Sequence, residues 1–141
     1  MIVLPTINYK NITLLLTDFI RNEFRKSGFE KAVLGLSGGI DSAVVTVLAA
    51  KALGPENVTG ILMPYKSSSR SSIEDAMKIV EMTEVNHKIV EITEAVNSIE
   101  SFNMVQNNRL KAVTLGNVVA KVRMSTLVDF SSSEKALVLG A

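Results

Sequence analysis

A glycine-rich turn between two apolar segments constrains this chain more than any other part of its sequence. Residues 31–36 (KAVLGL) are almost continuously apolar, which is typical of a parallel strand covered on both faces. Ser37, Gly38 and Gly39 follow at once, and residues 41–53 favour a helix. A glycine turn that leads into a helix can bind an anion, because backbone amides and the helix dipole both point at the turn. The sequence therefore predicts a strand, an anion-binding turn and a helix.

Two common phosphate-binding motifs are absent from this turn. A Walker A loop requires GxxxxGK[ST], but in register from Gly35 the second glycine is replaced by Ile40 and the lysine by Asp41, and GxGxxG is missing too. The Asp41 carboxylate would repel a polyphosphate unless a divalent cation bridges the two charges, so we predict Mg²⁺ held by Asp41. The alternative is an ordinary strand-to-helix turn in which Asp41 is only a favourable charge near a helix start.

Length and composition exclude several classes of function. The 141 residues are sufficient for one domain, and a hydrophobic content of 47% without an apolar run of about 18 to 20 residues predicts a buried interface and no membrane span. A net charge of +1 and an aromatic content of 5% argue against nucleic-acid binding. The absence of cysteine excludes disulfides and thiol catalysis. The first residues lack a signal-peptide pattern, so we expect a cytoplasmic protein.

The remaining apolar periodicity predicts an α/β fold. An amphipathic helix at 11–28 carries its apolar face on Ile12, Leu15, Leu16, Phe19, Ile20 and Phe24. Further strands are predicted at 57–63, 87–92 and 135–139, further helices at 73–84, 93–102 and 113–130, a polar break at 103–108 and a turn at 131–133. This alternation predicts a Rossmann-like parallel sheet between helix layers. With the first strand in the centre, the strand order is 3-2-1-4 and the glycine turn lies at the switch point.

Two polar features at the ends of predicted strands are candidates for function. Residues 64–72 (PYKSSSRSS) follow the second strand at the edge where open α/β sheets bind ligands. The pattern equally favours a solvated loop that caps the next helix through Ser71 or Ser72. His87 is the single histidine, but it begins the third strand, at the opposite end of the sheet. We therefore expect no functional role for His87.

Three stretches carry a resemblance to a known family. SGGIDS, from Ser37 to Ser42, resembles the pyrophosphate loop of the N-type ATP pyrophosphatases, whose fold is adenine nucleotide alpha hydrolase-like and which cleave ATP between its α and β phosphates. LMPYKSSS at 62–69 and GNVVAKVRM at 116–124 resemble NAD synthetases in particular. The likeness runs from about Phe24 to the last residue without a glutaminase domain, which implies the ammonia-dependent kind. Another N-type ATP pyrophosphatase, such as a tRNA-modifying enzyme, remains an alternative.

The resemblance implies a reaction and a set of site residues. The carboxylate of deamido-NAD would attack the α phosphate of ATP and release pyrophosphate, and ammonia would then displace AMP to give NAD. Lys121 and Arg123 would bind deamido-NAD, and the helix at 113–130, which begins at Val113 and ends at Phe130, would form a homodimer interface. No catalytic residue is implied. ATP with Mg²⁺ would be bound by Gly35, Leu36, Ser37, Gly38, Gly39, Ile40, Asp41 and Ser42, with Met63 near the adenine.

The sequence departs from the family pattern at two places. Lys121 replaces the first arginine of the helical motif and loses its planar fork. Gly140-Ala141 stands where the family has a glycine-threonine pair that helps to bind ATP, and family members continue further. We therefore expect residues 1–141 to form a single nucleotide-binding domain, truncated after the fourth strand, with weak Mg-ATP binding and little or no synthetase activity. A non-catalytic nucleotide-binding fragment or paralogue is the alternative.

Overall fold

A computed structural model describes residues 6–102 and 108–140 of the chain. Residues 103–107 of the predicted polar break at 103–108 lie outside the described residues, as does Ala141. The elements follow one another as α1 (Tyr9–Ser27), β1 (Lys31–Gly35), α2 (Ile40–Leu53), a 3₁₀ turn (Pro55–Asn57), β2 (Val58–Leu62), α3 (Arg70–Thr83), β3 (Asn86–Ile89), α4 (Thr93–Glu100), α5 (Asn108–Glu134) and β4 (Ala136–Leu139).

The four strands form one parallel sheet of order β3-β2-β1-β4, which confirms the predicted topology. Successive residues of the central strand β1 point to opposite faces. Ala32 and Leu34 join the apolar cluster that contains residues of α1, α2 and α3, whereas Val33 joins the cluster that contains residues of α4 and α5. Helices therefore cover both faces, which explains why β1 is almost continuously apolar.

The first helix departs from its predicted packing. Phe24 is buried and Ile20 packs against the core, as expected, but Ile12, Leu15, Leu16 and Phe19 are between 39% and 69% exposed. The Nε atom of Arg21 donates to the carbonyl of Ala52, near the end of α2. The second half of α1 thus supplies its contacts with the core, and the apolar face of the first half is left at the surface.

The start of α3 also differs from the prediction. Ser69, not Ser71 or Ser72, is the N-cap, and its hydroxyl accepts a hydrogen bond from the Ser72 amide at 3.1 Å. Several adjacent serines can each act as a cap, so the cap was not decided by residue type. The polar loop after β2 is therefore shorter than expected, and α3 begins at Arg70.

The predicted turn at 131–133 is wrong, because these residues complete α5. The hydroxyls of Ser132 and Ser133 bond the carbonyls of Val128 and Phe130 in the preceding turn, which allows serines to remain helical. The chain reverses instead at Lys135, whose φ is 52°. β4 begins at the next residue.

The third strand is shorter than the predicted 87–92, although its pairing with β2 continues. Beyond β3, the amides of Val90 and Ile92 donate to the carbonyls of Leu62 and Pro64 at 2.8 and 3.0 Å. His87 lies near the start of β3, as expected, in its second position, and it is exposed. Among the helices of residues 6–102 and 108–140, none is long and apolar enough to cross a membrane.

Candidate functional site

The glycine turn packs closely against the start of α3. Gly38 has a φ of 83°, and a Cβ at this position would lie 2.2 Å from the carbonyl oxygen of Ser72. Both the backbone conformation and the available space therefore require glycine here. The close approach brings the N-termini of α2 and α3 together at one edge of the sheet.

The N-terminus of α2 has no side-chain cap. Its N-cap is Gly39, and the first backbone hydrogen bond of the helix runs from the Ala43 amide to the Gly39 carbonyl, at 3.1 Å. The amides of Ile40, Asp41 and Ser42 precede it and have no partner within the helix. These amides, together with the helix dipole, provide the positive potential that an anion site needs.

Two serine hydroxyls hold the turn together. The Ser42 hydroxyl donates to the Gly39 carbonyl at 3.0 Å, and its oxygen lies 3.1 Å from the Ser37 hydroxyl oxygen. The Gly39 amide donates to the Ser37 hydroxyl at 3.2 Å. Ser42 is only 5% exposed. Its hydroxyl thus supports the turn from inside, whereas Ser37 borders the adjoining cavity.

A cavity of about 420 Å³ opens beside the turn, at the carboxyl ends of β1 and β2. This volume lies within the range of small-molecule and cofactor sites. A Cβ at Gly35 would lie 3.4 Å from the terminal methyl of Met63, so a side chain here would be in contact with a residue that lines the cavity. Strand β4 extends the sheet from β1 in the opposite direction from β2, so the topological switch point lies between β1 and β4. The cavity lies on the other side of β1, over the ends of β1 and β2.

The predicted site residues fall into three groups. Those that line the cavity are Gly35, Leu36, Ser37, Met63 and Arg123. Those that form the turn and the start of α2 beside it are Gly38, Gly39, Ile40, Asp41 and Ser42. Lys121 lies apart from the cavity and is exposed on α5.

The surroundings of Asp41 fit a metal ion that is shared with a ligand. The side chain is exposed in the first turn of α2. Nowhere in residues 6–102 and 108–140 do three or more histidines or carboxylates gather in a way that could hold a metal ion. Mg²⁺ commonly takes one or two protein carboxylates together with substrate phosphates and waters. A single carboxylate beside an anion-binding turn therefore suits Mg²⁺ that arrives with a polyphosphate.

The loop after β2 contributes residues that the sequence pattern did not identify. Tyr65 is only 5% exposed, and its amide donates to the Ser68 hydroxyl at 2.9 Å. The Lys66 amide donates to the Thr93 hydroxyl at 3.0 Å. Ser68 and Ser72 line the cavity. The loop is thus anchored at the cavity edge. Two signals pointed to it: its position after the second strand, and the resemblance of LMPYKSSS to NAD synthetases.

Arg123 connects α5 to the end of β2. Its Nε and Nη2 atoms lie 3.3 and 3.2 Å from the carbonyl oxygen of Met63. The same side chain borders a second cavity of about 370 Å³, which Tyr65, Gly116 and Val119 also line. Arg123 therefore lies between the two cavities.

Comparison with known proteins gives a consistent result. The NAD synthase family model matches residues 12–141. The NH(3)-dependent NAD(+) synthetase of Fusobacterium nucleatum is 46% identical over 134 residues, or 95% of this chain and 50% of that protein. The NH3-dependent NAD synthetase of Campylobacter jejuni superposes with a TM-score of 0.87 at 36% identity, over 96% of this chain and 57% of that one.

A second solved structure extends the likeness to a larger protein. The glutamine-dependent NAD+ synthetase of Acinetobacter baumannii, in complex with adenosine diphosphate (ADP), superposes with a TM-score of 0.84 at 32% identity, over 98% of this chain and 26% of that one. The chain spans about half the length of the curated relatives it matches. These matches confirm the resemblance that the three sequence stretches indicated. The chain belongs to the NAD synthase family.

Proposed function

We propose that this chain binds ATP with Mg²⁺ and forms the nucleotide-binding part of an NAD synthetase. The observation that carries the proposal is the uncapped N-terminus of α2, which adjoins a cavity of about 420 Å³ at the carboxyl ends of β1 and β2. The Acinetobacter baumannii relative binds ADP, another adenine nucleotide with a polyphosphate. Family membership and site geometry thus support the same class of ligand.

The site residues are assigned by their positions around the turn. The phosphates of ATP bind the amides of Gly38, Gly39 and Ser42 and the hydroxyl of Ser37. The bond from the Gly39 amide to the Ser37 hydroxyl, present in the free protein, is exchanged for the phosphate. Asp41 holds Mg²⁺. Gly35 and Leu36 form the wall, Ile40 continues the turn into α2, and Met63 lies near the adenine. When bound, Mg²⁺ supplies positive charge that offsets the charge on the phosphates.

The proposed reaction follows the family. An oxygen of the deamido-NAD carboxylate forms a bond to the α phosphorus, and the bond from that phosphorus to pyrophosphate breaks. Ammonia then forms a bond to the carboxyl carbon, and the bond from that carbon to the oxygen carried by AMP breaks, so that AMP leaves with this oxygen. The ammonia nitrogen loses a proton to water. Lys121 and Arg123 are the proposed contacts to deamido-NAD. Positioning and charge neutralisation suffice for such steps, and we assign no catalytic base.

We also propose a homodimer through the helix segment 113–130. Val113, Met124 and Val128 on α5 are each at least half exposed, which leaves apolar surface available to a second copy. Sedimentation at micromolar concentration tests this proposal. We expect a dimer that Val128→Glu weakens; a monomer that the substitution leaves unchanged would contradict it. A cytoplasmic location remains a prediction.

Titration calorimetry with ATP tests the assignment of Asp41. We expect wild-type binding to require Mg²⁺, and Asp41→Asn to weaken it by about tenfold or more, because a charged ligand to the metal is lost. Asp18→Asn is the control, since Asp18 forms an exposed ion pair with Arg21 on α1. Equal heats with and without Mg²⁺ would remove the reason for assigning Asp41.

The reaction is tested separately from binding. NAD formation from ATP, deamido-NAD and ammonia would show that this chain carries a sufficient set of residues. ATP binding with little or no NAD formation is the expected result for this chain, which spans about half the length of the curated relatives it matches. A non-catalytic nucleotide-binding fragment or paralogue would give the same result, whereas robust NAD formation would refute the expectation of low activity. The absence of both would contradict the proposed function.

A further inference from the structure

Arg123 makes a contact that the proposed substrate role does not explain. Two of its guanidinium nitrogens, Nε and Nη2, bond one backbone oxygen, that of Met63, at 3.3 and 3.2 Å. We propose that Arg123 is a positioning residue, which holds Met63 in place as the wall for the adenosine end of the nucleotide. This inference rests on the proposed ATP-binding function.

The geometry of the sheet explains why the Met63 carbonyl needs this partner. Along β2, the carbonyl of Ile61 accepts from the Leu36 amide of the neighbouring chain segment at 2.9 Å. In a regular parallel ladder, the next carbonyl on this side, that of Met63, would accept from the amide of Gly38. The chain leaves the ladder at the glycine turn, where Gly38 has a φ of 83°. The turn that creates the anion site thus removes the ladder partner of Met63.

A backbone carbonyl at a buried position requires a donor, and Arg123 supplies two. Met63 is 8% exposed, and its side chain belongs to the apolar cluster that contains Leu127 of α5. On the other edge of the same segment, the carbonyls of Leu62 and Pro64 accept from amides that follow β3. With Arg123 on Met63, the end of β2 is therefore held from both sides.

The surroundings of Arg123 make it suitable for substitution. No ion pair within residues 6–102 and 108–140 includes Arg123. Its removal therefore leaves no carboxylate without a partner, which would otherwise add a large penalty. The expected consequence is a less ordered Met63 segment within an otherwise intact sheet.

The test compares three ligands: AMP, ATP with Mg²⁺, and pyrophosphate with Mg²⁺. If Arg123 positions the wall for adenosine, Arg123→Met lowers the affinities for AMP and ATP by the same factor, about tenfold for a lost charge-assisted hydrogen bond. The affinity for pyrophosphate is unchanged. Arg123→Lys retains the charge and one donor, and is expected to restore part of this loss. Arg25→Met removes the same charge from the exposed end of α1 and serves as the control.

Hydrogen exchange distinguishes positioning from direct contact with the ligand. In the free protein, Arg123→Met is expected to speed exchange at the amides of Tyr65 and Ile92, while the amides of β1 keep their protection. Unchanged exchange at Tyr65 and Ile92 would overturn the inference, whatever the protein binds. The inference would also be overturned if Arg123→Met lost affinity for pyrophosphate and AMP equally, or if it bound AMP as tightly as the wild type does. Failure of the wild type to bind any of the three ligands would instead refute the proposed function.

Discussion

The helices α2 and α3 begin at the same edge of the sheet but satisfy their first amides differently. α3 is capped by the hydroxyl of Ser69, which bonds the Ser72 amide. The N-cap of α2 is Gly39, which has no side chain to accept a hydrogen bond, although a Cβ there would meet nothing closer than the Ser37 hydroxyl at 3.4 Å. A stabilising cap would therefore fit at Gly39 but is absent. The difference fits the proposed function, in which the first amides of α2 bind a ligand and α3 supports the turn.

The largest expected effect comes from adding a side chain at the close contact between the glycine turn and the start of α3. In Gly38→Ala, the added methyl would clash with the Ser72 carbonyl at a backbone φ of 83°. Strain of this kind costs about 1–3 kcal/mol, to which displacement of α3 adds, and we expect ATP binding to be lost. Chemical denaturation and calorimetry measure the two effects.

Gly116→Ala is the matched control for this substitution. Gly116 lies in α5, and a Cβ there would have no neighbour within 4 Å. In a helix interior, this change is expected to stabilise the protein by about 0.5–1 kcal/mol. Equal stability of the two variants would show that the close contact between the turn and α3 is not needed.

A moderate effect is expected when α3 loses its cap. Ser69→Ala removes the hydroxyl that accepts from the Ser72 amide, which costs about 1 kcal/mol of unfolding free energy in typical helices. Ser71→Ala is the control, because the Ser71 hydroxyl bonds only the hydroxyl of Ser69 among the described side chains. Urea denaturation measures both. A larger loss in Ser71→Ala would mean that the cap has been assigned to the wrong serine.

The smallest effect on stability is expected when a cap is added to α2. The extended backbone of Gly39 suits a serine cap, so Gly39→Ser should raise the unfolding free energy by a few tenths of a kcal/mol. The new hydroxyl would bond the amides proposed for phosphate, and ATP affinity should fall. Gly39→Ala adds the methyl group without the cap. If both variants lose affinity equally, crowding rather than capping is the cause.

Local patterns predicted the elements well where a single feature dominates. The predicted bounds of β1, the glycine turn and helix α2 agree with the structure within a residue or two. The predicted sheet order, which assumed that the first strand is central, is confirmed. Predictions failed where residue type permits several outcomes. The serines at 131–133 were expected to form a turn, but their hydroxyls bond helix carbonyls and α5 continues.

The candidate site was predictable in part for the same reason. Ser37 to Ser42 are contiguous, so their motif places them together before any tertiary structure is known. Tyr65 belongs to a segment of mostly polar residues, for which the sequence alone does not predict burial. It is buried because α4 and α5 cover that end of the sheet. Arg123 was assigned to a substrate from the resemblance alone, and its bond to the Met63 carbonyl joins residues far apart in the chain.

The order of residues was thus sufficient to determine a parallel α/β sheet, a helix that begins at a glycine turn, and membership of the NAD synthase family. These features depend on short-range patterns, which fold in the same way wherever they occur. Tertiary packing alone decided that Gly38 contacts Ser72, that the first half of α1 stays exposed, and that Arg123 replaces a missing ladder partner. Each of these features depends on residues that are far apart in the sequence. Unpaired backbone groups and apolar faces are brought next to such residues only when the sheet assembles.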